Sequence, residues 1–254
     1  MSHRAHDYRE LVRRWRAVGR TAGLRLHAFA EGGGYDVFRL ATPALDEAGG
    51  IYISAGIHGD EPASSEALIA WAERHATVLA RLPLMLFPCL NPWGLVNNTR
   101  VNEAGVDLNR VFQNNDAPVI AALKRLIKGH RFALALNLHE DFDGQGLYLY
   151  EVQRAQPYWG ESLLAAAARI IAIDPRQRID GRVARAGLIR RRFNQKRFAR
   201  MGFPEAIYLH QHHADHALTL ETPSEFAIEQ RVAAQVAIIE ECVRRIVPRK
   251  RAAS

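Results

Sequence analysis

His58, Glu61, His139 and Glu221 are the side chains of this chain best suited to metal and acid–base chemistry. His58 follows the apolar run Ile51 to Ile57, His139 follows Phe132 to Leu138, and Glu221 follows Ala217 to Leu220; Asn91 stands in the same relation to Leu84 to Leu90. In an open α/β sheet, ligands bind beyond the carboxyl ends of parallel strands, so parallel strands would bring these positions to one edge. His58-Gly59-Asp60-Glu61 sets a strand-end His three positions before a helix-start Glu, which aims an imidazole nitrogen and a carboxylate oxygen at one point, as two zinc ligands require. The competing reading of these residues is a plain helix start, with Glu61 at the positive dipole end and Pro62 in the first turn. His139 lies in Asn137-Leu138-His139-Glu140-Asp141, an abrupt passage to three polar groups that a core strand does not make without partners for them. Two His and one carboxylate leave a tetrahedral zinc ion one open position for water.

Positioning these residues is the task of alternating short apolar runs and longer helical stretches, the signature of βα units around a mostly parallel sheet. Strands are expected at Leu24 to Ala30, Tyr35 to Ala41, Ile51 to Ile57, Leu84 to Leu90, Phe132 to Leu138, Leu147 to Val152, Glu205 to Leu209 and Ala217 to Leu220. Helices are expected in the first 25 residues and at Pro62 to Arg81, Pro118 to Lys128, Tyr158 to Ile173 and Glu225 to Val247. Glu31-Gly32-Gly33-Gly34 reads as a hairpin turn. The expected fold class is α/β: one domain over 1–254, with a mixed, mostly parallel sheet flanked by helices on both faces, a helical extension at 1–25 and a basic tail at 248–254. Asn91 to Arg110 forms a long loop rich in Asn, Gly and Arg, and loops of that length in compact domains are usually functional.

The 254 residues, 48% hydrophobic and 24% charged, are enough for a large core and exclude disorder, collagen and coiled coil. No apolar stretch approaches the roughly 18 residues of a membrane span, so no membrane partner is expected. Met1 to Arg25 carries seven arginines and no apolar block, unlike a secretory signal, which points to the cytoplasm. Cys89 and Cys242 each sit in an apolar segment and read as reduced, buried thiols. The net charge of +7 is local, because Arg176 to Arg200 holds ten Lys or Arg against the single acid Asp180. Such a run is a solvated face or a field that steers anionic substrates.

The pieces His58-x-x-Glu61, Asn91-Pro92-Trp93-Gly94, Arg100, Asp107-Leu108-Asn109-Arg110, His139 and the strand-end Glu221 stand in an order that resembles the M14 zinc carboxypeptidase superfamily, including its succinylglutamate desuccinylase and aspartoacylase branch, over about residues 50 to 225. The resemblance implies the zinc carboxypeptidase-like, phosphorylase/hydrolase-like fold and one Zn²⁺ ion held by His58, Glu61 and His139. Asp107 would orient His58 through its other nitrogen. Glu221 would be the general base, Arg100 would stabilise the developing oxyanion, and Asn109 and Arg110 would grip the substrate's terminal carboxylate. Asp60 stands where the digestive enzymes of that superfamily carry a basic residue, and no tyrosine takes the place of their substrate-capping Tyr; Tyr208 reads as a strand residue. Four histidines between His210 and His216 offer a second metal cluster, with His210, His212 and His216 on one strand face, although a place near the pocket or on the surface suits them better.

The leading expectation is therefore a cytoplasmic zinc metallocarboxypeptidase-like hydrolase that cleaves an amide next to a free carboxylate in a small peptide or N-acyl amino acid. An aspartoacylase-type or succinylglutamate-type deacylase is the alternative within the same chemistry. A basic nucleic-acid-binding module is the alternative of another class; only Phe193 and Phe198 interleave the basic run, and no nucleic-acid motif accompanies it.

Overall fold

The structure, a computed structural model, describes residues 5–46, 49–153, 156–191 and 202–247. The strands are β1 (His27–Gly32), β2 (Tyr35–Ala41), β3 (Ile51–Ser54), β4 (Leu84–Phe87), β5 (Leu134–Asp141), β6 (Tyr148–Gln153), β7 (Arg178–Ile179), β8 (Arg182–Val183), β9 (Leu188–Arg191) and β10 (His216–Pro223). The helices are α1 (Tyr8–Ala22), α2 (Pro62–Arg74), α3 (Pro92–Asn97), α4 (Pro118–Leu126), α5 (Gly160–Ala167), α6 (Glu205–His212) and α7 (Ile228–Ile246). Eight strands make one sheet in the order β1-β2-β4-β3-β5-β10-β6-β9, and β7 and β8 form a separate hairpin. The pairs β3–β4, β3–β5, β5–β10 and β6–β9 are parallel, whereas β1–β2, β2–β4 and β6–β10 are antiparallel. The expected mixed, mostly parallel sheet is thus present.

Strand alternation sorts the side chains into two cores, because successive residues of a strand point to opposite faces. Leu134, Leu136 and Leu138 of β5, Leu218 and Leu220 of β10, and Leu147 and Leu149 around β6 face α1, α2, α5 and α7. Ala135 of β5, Ala217 of β10 and Tyr52 of β3 face α4 and α6. Helices cover both faces, as expected. Helix α1 is part of the first core, with Trp15 fully buried and Arg14 bonded to Glu66 and Glu73 of α2.

The structure corrects several expected elements. Glu205–His212 is a helix, not a strand: Pro204 precedes it, and Ala206, Ile207, Leu209 and His210 form a buried helical stripe. A short apolar run carries too little periodicity to separate the two states. The helix expected over Tyr158 to Ile173 is confined to Gly160–Ala167, and that expected over Pro62 to Arg81 ends at Arg74, followed by a 3₁₀ turn at Leu79–Arg81. Strand β5 runs on through His139, since β10 pairs with it as far as Asp141. The basic residues Arg192 to Arg200 and the tail 248–254 lie outside the described residues.

Candidate metal centre

The loop after β3 turns back on itself and brings His58 over the sheet edge. Gly59 makes this possible, because a Cβ there would stand 1.9 Å from the carbonyl carbon of Gly94. Glu61 occupies the N-cap of α2 with Pro62 behind it, yet its side chain makes no capping bond. It reaches instead to both imidazoles: Nδ1 of His58 lies 2.5 Å from Oε1, and Nδ1 of His139 lies 2.8 Å from Oε2. His58, Glu61 and His139 are all buried, and their candidate ligand atoms lie within 4.8 Å of one another. Among the described residues this is the one such group of three or more metal-binding side chains.

Asp107 holds the far side of His58, with Oδ1 3.1 Å from Nε2. It also accepts from Arg100 Nε at 3.0 Å and from the backbone of Asn109 at 2.9 Å, closing the 3₁₀ turn Leu108–Arg110. Desolvation pushes the Asp107 carboxyl up, but the His58 bond and the charges of His58, Arg100 and Arg110 hold it well below the usual carboxylate range. Desolvation likewise opposes charge on His58; Glu61 and Asp107 overcome it and raise the imidazole to about 9. Glu61 is depressed against its own desolvation by His58 and His139. The geometry has a plain chemical meaning. With its Nε2 proton on Asp107, a neutral His58 turns a lone pair toward a carboxylate, an opposition that only a proton or a cation relieves. Two imidazoles and one carboxylate so disposed fit a divalent zinc-like ion.

Sheet register sets the remaining groups around this pair. Glu221 of β10 stands level with His139 on one side and Tyr148 of β6 on the other. One row beneath, Ser54, Asn137, Thr219 and Tyr150 lie in register across four strands. Desolvation raises the Glu221 carboxyl well above its ordinary range; His139 opposes the rise, while Glu61, Asp141 and Asp180 add to it. The cavity over this edge has a volume of about 450 Å³. Its wall includes His58, Glu61, His139, Glu221, Arg100, Asn109 and Arg110, so seven of the eight residues singled out from the sequence share it, and Asp107 sits behind His58. Arg100 lies 3.5 Å from Glu61, and Arg110 is exposed on the rim. Asn109 is already partly committed, since its Oδ1 accepts from the backbone of Glu205 at 2.9 Å.

Other groups fall differently from their sequence reading. Asn91 caps α3 through the Gly94 amide and donates to Val101 O at 3.1 Å, so it anchors the Arg100 loop and lies outside the cavity wall. The histidine cluster does not share a strand face. His210 and His212 are on α6, while His216 opens β10 and meets Glu151 at 3.1 Å. Tyr208 is likewise helical and packs against His212 and His213. Sequence reasoning missed Tyr148, Tyr150, Asp180 and Arg182, all on the cavity wall. The tyrosines had a signal in Leu147-Tyr148-Leu149-Tyr150, whose alternation puts both on the face of Glu221.

The comparisons with known proteins agree with this geometry. The profile described as the succinylglutamate desuccinylase/aspartoacylase catalytic domain matches residues 48–174, half of the 254-residue chain. Among curated proteins no significant match is found. Among solved structures, a candidate metallopeptidase from Shewanella amazonensis SB2B is 22% identical with a TM-score of 0.84, covering 96% of this chain and 95% of its own. A metallo-carboxypeptidase from Burkholderia cenocepacia is 18% identical with a TM-score of 0.68, covering 93% and 68%. The murein-tripeptide amidase MpaA from Escherichia coli O157 is 18% identical with a TM-score of 0.58, covering 86% and 91%. At these identities the likeness is one of fold. With the profile match spanning the loop of His58 and the strand of His139, the chain belongs to the succinylglutamate desuccinylase/aspartoacylase catalytic-domain family.

Proposed function

We propose that this chain is a zinc-dependent hydrolase that cleaves the amide bond next to a free carboxylate in a small peptide or N-acyl amino acid. The observation that carries the reading is the meeting of two imidazole Nδ1 atoms at one buried carboxylate, with Glu221 in register beside His139. His58, Glu61 and His139 hold the ion, and Asp107 fixes the tautomer of His58. Held there, a zinc ion would supply Lewis acidity, lowering the pKa of water and polarising an amide carbonyl. Glu221 accepts the proton of the attacking water and returns it to the leaving amine, a task that falls to a carboxylate in register beside His139. Arg100 faces the developing oxyanion, and Asn109 and Arg110 receive the terminal carboxylate; a planar guanidinium grips a carboxylate through two parallel bonds.

Elemental analysis of the purified protein, paired with Glu221→Gln, tests the reading. The variant keeps about one zinc per chain and loses on the order of 10³-fold or more in kcat. A fully active Glu221→Gln protein removes Glu221 from the mechanism, and a protein with no affinity for zinc removes the reading altogether. A second reading, a deacylase of acidic N-acyl amino acids, is favoured by the three guanidiniums Arg100, Arg110 and Arg182 on the cavity wall and by the family match. Turnover of N-succinyl and N-acetyl amino acids against dipeptides separates the two.

A further inference from the structure

We propose that Asp180 is a specificity residue that receives an ammonium group of the substrate, so that the compound cleaved carries a positive charge as well as a free carboxylate. The proposal rests on the hydrolase reading above and names its substrate class. Asp180 is the single acid among the ten Lys and Arg of segment 176–200, and it is the acid that the fold delivers to the cavity wall. It occupies the first central position of the two-residue turn between β7 and β8, with φ of 50° at Asp180 and 68° at Gly181. Positive φ at both central residues is the type I′ hairpin geometry that Asp-Gly favours.

The hairpin is fastened to the sheet by its own small core. Ile179 and Ala184 pack with Tyr148, Tyr150 and Ile189, and the two tyrosine rings stand edge to face at 5.6 Å. From that base the Tyr150 hydroxyl donates to Asp180 Oδ2 at 2.5 Å, which fixes the carboxylate from the sheet side. Asp180 and Glu221 line the same cavity.

Among the cavity carboxylates other than Glu221, the assigned base, the partners set Asp180 apart. Glu61 faces two imidazoles, and Asp141 shares its charge with Arg176 at 3.6 Å. Glu140 is paired with Arg231 beneath the site. The hydrogen-bond partner of Asp180 is a neutral hydroxyl. Arg110, at the end of the Leu108–Arg110 turn, is exposed on the same wall and can meet a carboxylate. A substrate with an ammonium group would match Asp180 in turn, whereas a purely acidic one would set a second negative charge against Asp180 beside Glu221. A wall built to receive an N–H donor discriminates strongly against analogues that lack it.

The test compares zinc-loaded wild type with Asp180→Asn, which keeps the side-chain shape, tolerates positive φ and still accepts from Tyr150. The probes are matched sets in which lysine, norleucine or glutamate occupies one position of an alanine dipeptide, on either side of the scissile bond, or is presented as its N-acetyl derivative. In at least one set the wild type favours lysine over norleucine by about tenfold or more in kcat/KM, and Asp180→Asn lowers that ratio by about tenfold. A wild type indifferent to the ammonium, a wild type that prefers glutamate, or a ratio unchanged in Asp180→Asn overturns the proposal. Calorimetry with free lysine, norleucine and glutamate gives a readout that needs no turnover. If no probe is cleaved, the hydrolase reading fails; tighter lysine binding that Asp180→Asn abolishes then upholds Asp180 alone, and equal binding of the three overturns it as well.

Discussion

His58 shows how much a single imidazole depends on what stands behind it. Its Nδ1 faces Glu61 and its Nε2 faces Asp107, so a proton held at Nε2 leaves the other nitrogen able to bind a metal. Asp107→Asn reverses that logic: the amide can donate to Nε2 and push the ring proton to Nδ1. We expect zinc affinity to fall by about 10- to 100-fold, measured by competition with a chelator, while the unfolding midpoint of the metal-free protein moves little. Unchanged affinity would show that Asp107 does not set the tautomer. At this scale the residue types and spacings were readable: His58, Glu61, His139 and Glu221 meet as their order in the chain suggested. Asn91 was not, because an Asn after an apolar run serves equally as a helix cap, and only the bond to Gly94 N shows that role.

Between elements, the site is braced from below by a buried ion pair. Arg231 of α7 reaches Glu140 on β5, and the other oxygen of Glu140 accepts from the Ala63 amide at the start of α2 at 2.6 Å. One carboxylate therefore ties together the strand of His139, the helix behind Glu61 and the closing helix. Removing one partner of a buried pair strands the other charge, at a cost of about 3–5 kcal/mol. Arg231→Met is expected to lose stability on that order in urea unfolding of the metal-free protein, and a concurrent Glu140→Gln to recover part of it. A loss under about 1 kcal/mol would show that the pair is solvated. The brace had no sequence signal, since 91 positions separate its ends. The helix at Glu205–His212 was missed for a related reason: eight residues carry two turns of helix or one strand, and its packing against β5 and β10 decided between them.

At the scale of the whole molecule, several arginines among the described residues are engaged in ion pairs. Arg14 meets Glu66 and Glu73, Arg176 meets Asp174, and Arg190 meets Glu151 and Glu161. Among the described residues, no helix is long and apolar enough to cross a membrane. Glu151 links three elements at once. It accepts from the Trp159 and Gly160 amides at the start of α5, at 2.7 and 3.0 Å, and lies 3.1 Å from His216 Nε2 at the start of β10. Desolvation opposes its charge, but the His216 bond and the two amides hold its carboxyl below the ordinary value. A folded-state value below the unfolded one, about 4.3, means that this group stabilises the fold fully above that pH. The contribution is lost as pH falls through the depressed value. Urea midpoints of the wild type should therefore drop more steeply below about pH 4.5 than those of Glu151→Gln, which lacks the titrating group. Parallel slopes would contradict the assignment.

The alternation of Leu134-Ala135-Leu136-Asn137-Leu138-His139, with its counterparts in Leu218-Thr219-Leu220-Glu221 and Leu147-Tyr148-Leu149-Tyr150, carries in the sequence alone both the strands and the faces from which the reactive groups project. The sheet class, the helices on both faces and the strand-end positions of His58, His139 and Glu221 were legible there, because each follows from local periodicity and residue type. Tertiary structure alone decided the strand order, the state of Glu205–His212, the Arg231–Glu140 brace and the arrival of Asp180 at the cavity. Each of these depends on contacts between segments far apart in the chain, whose free energy no local window of sequence contains.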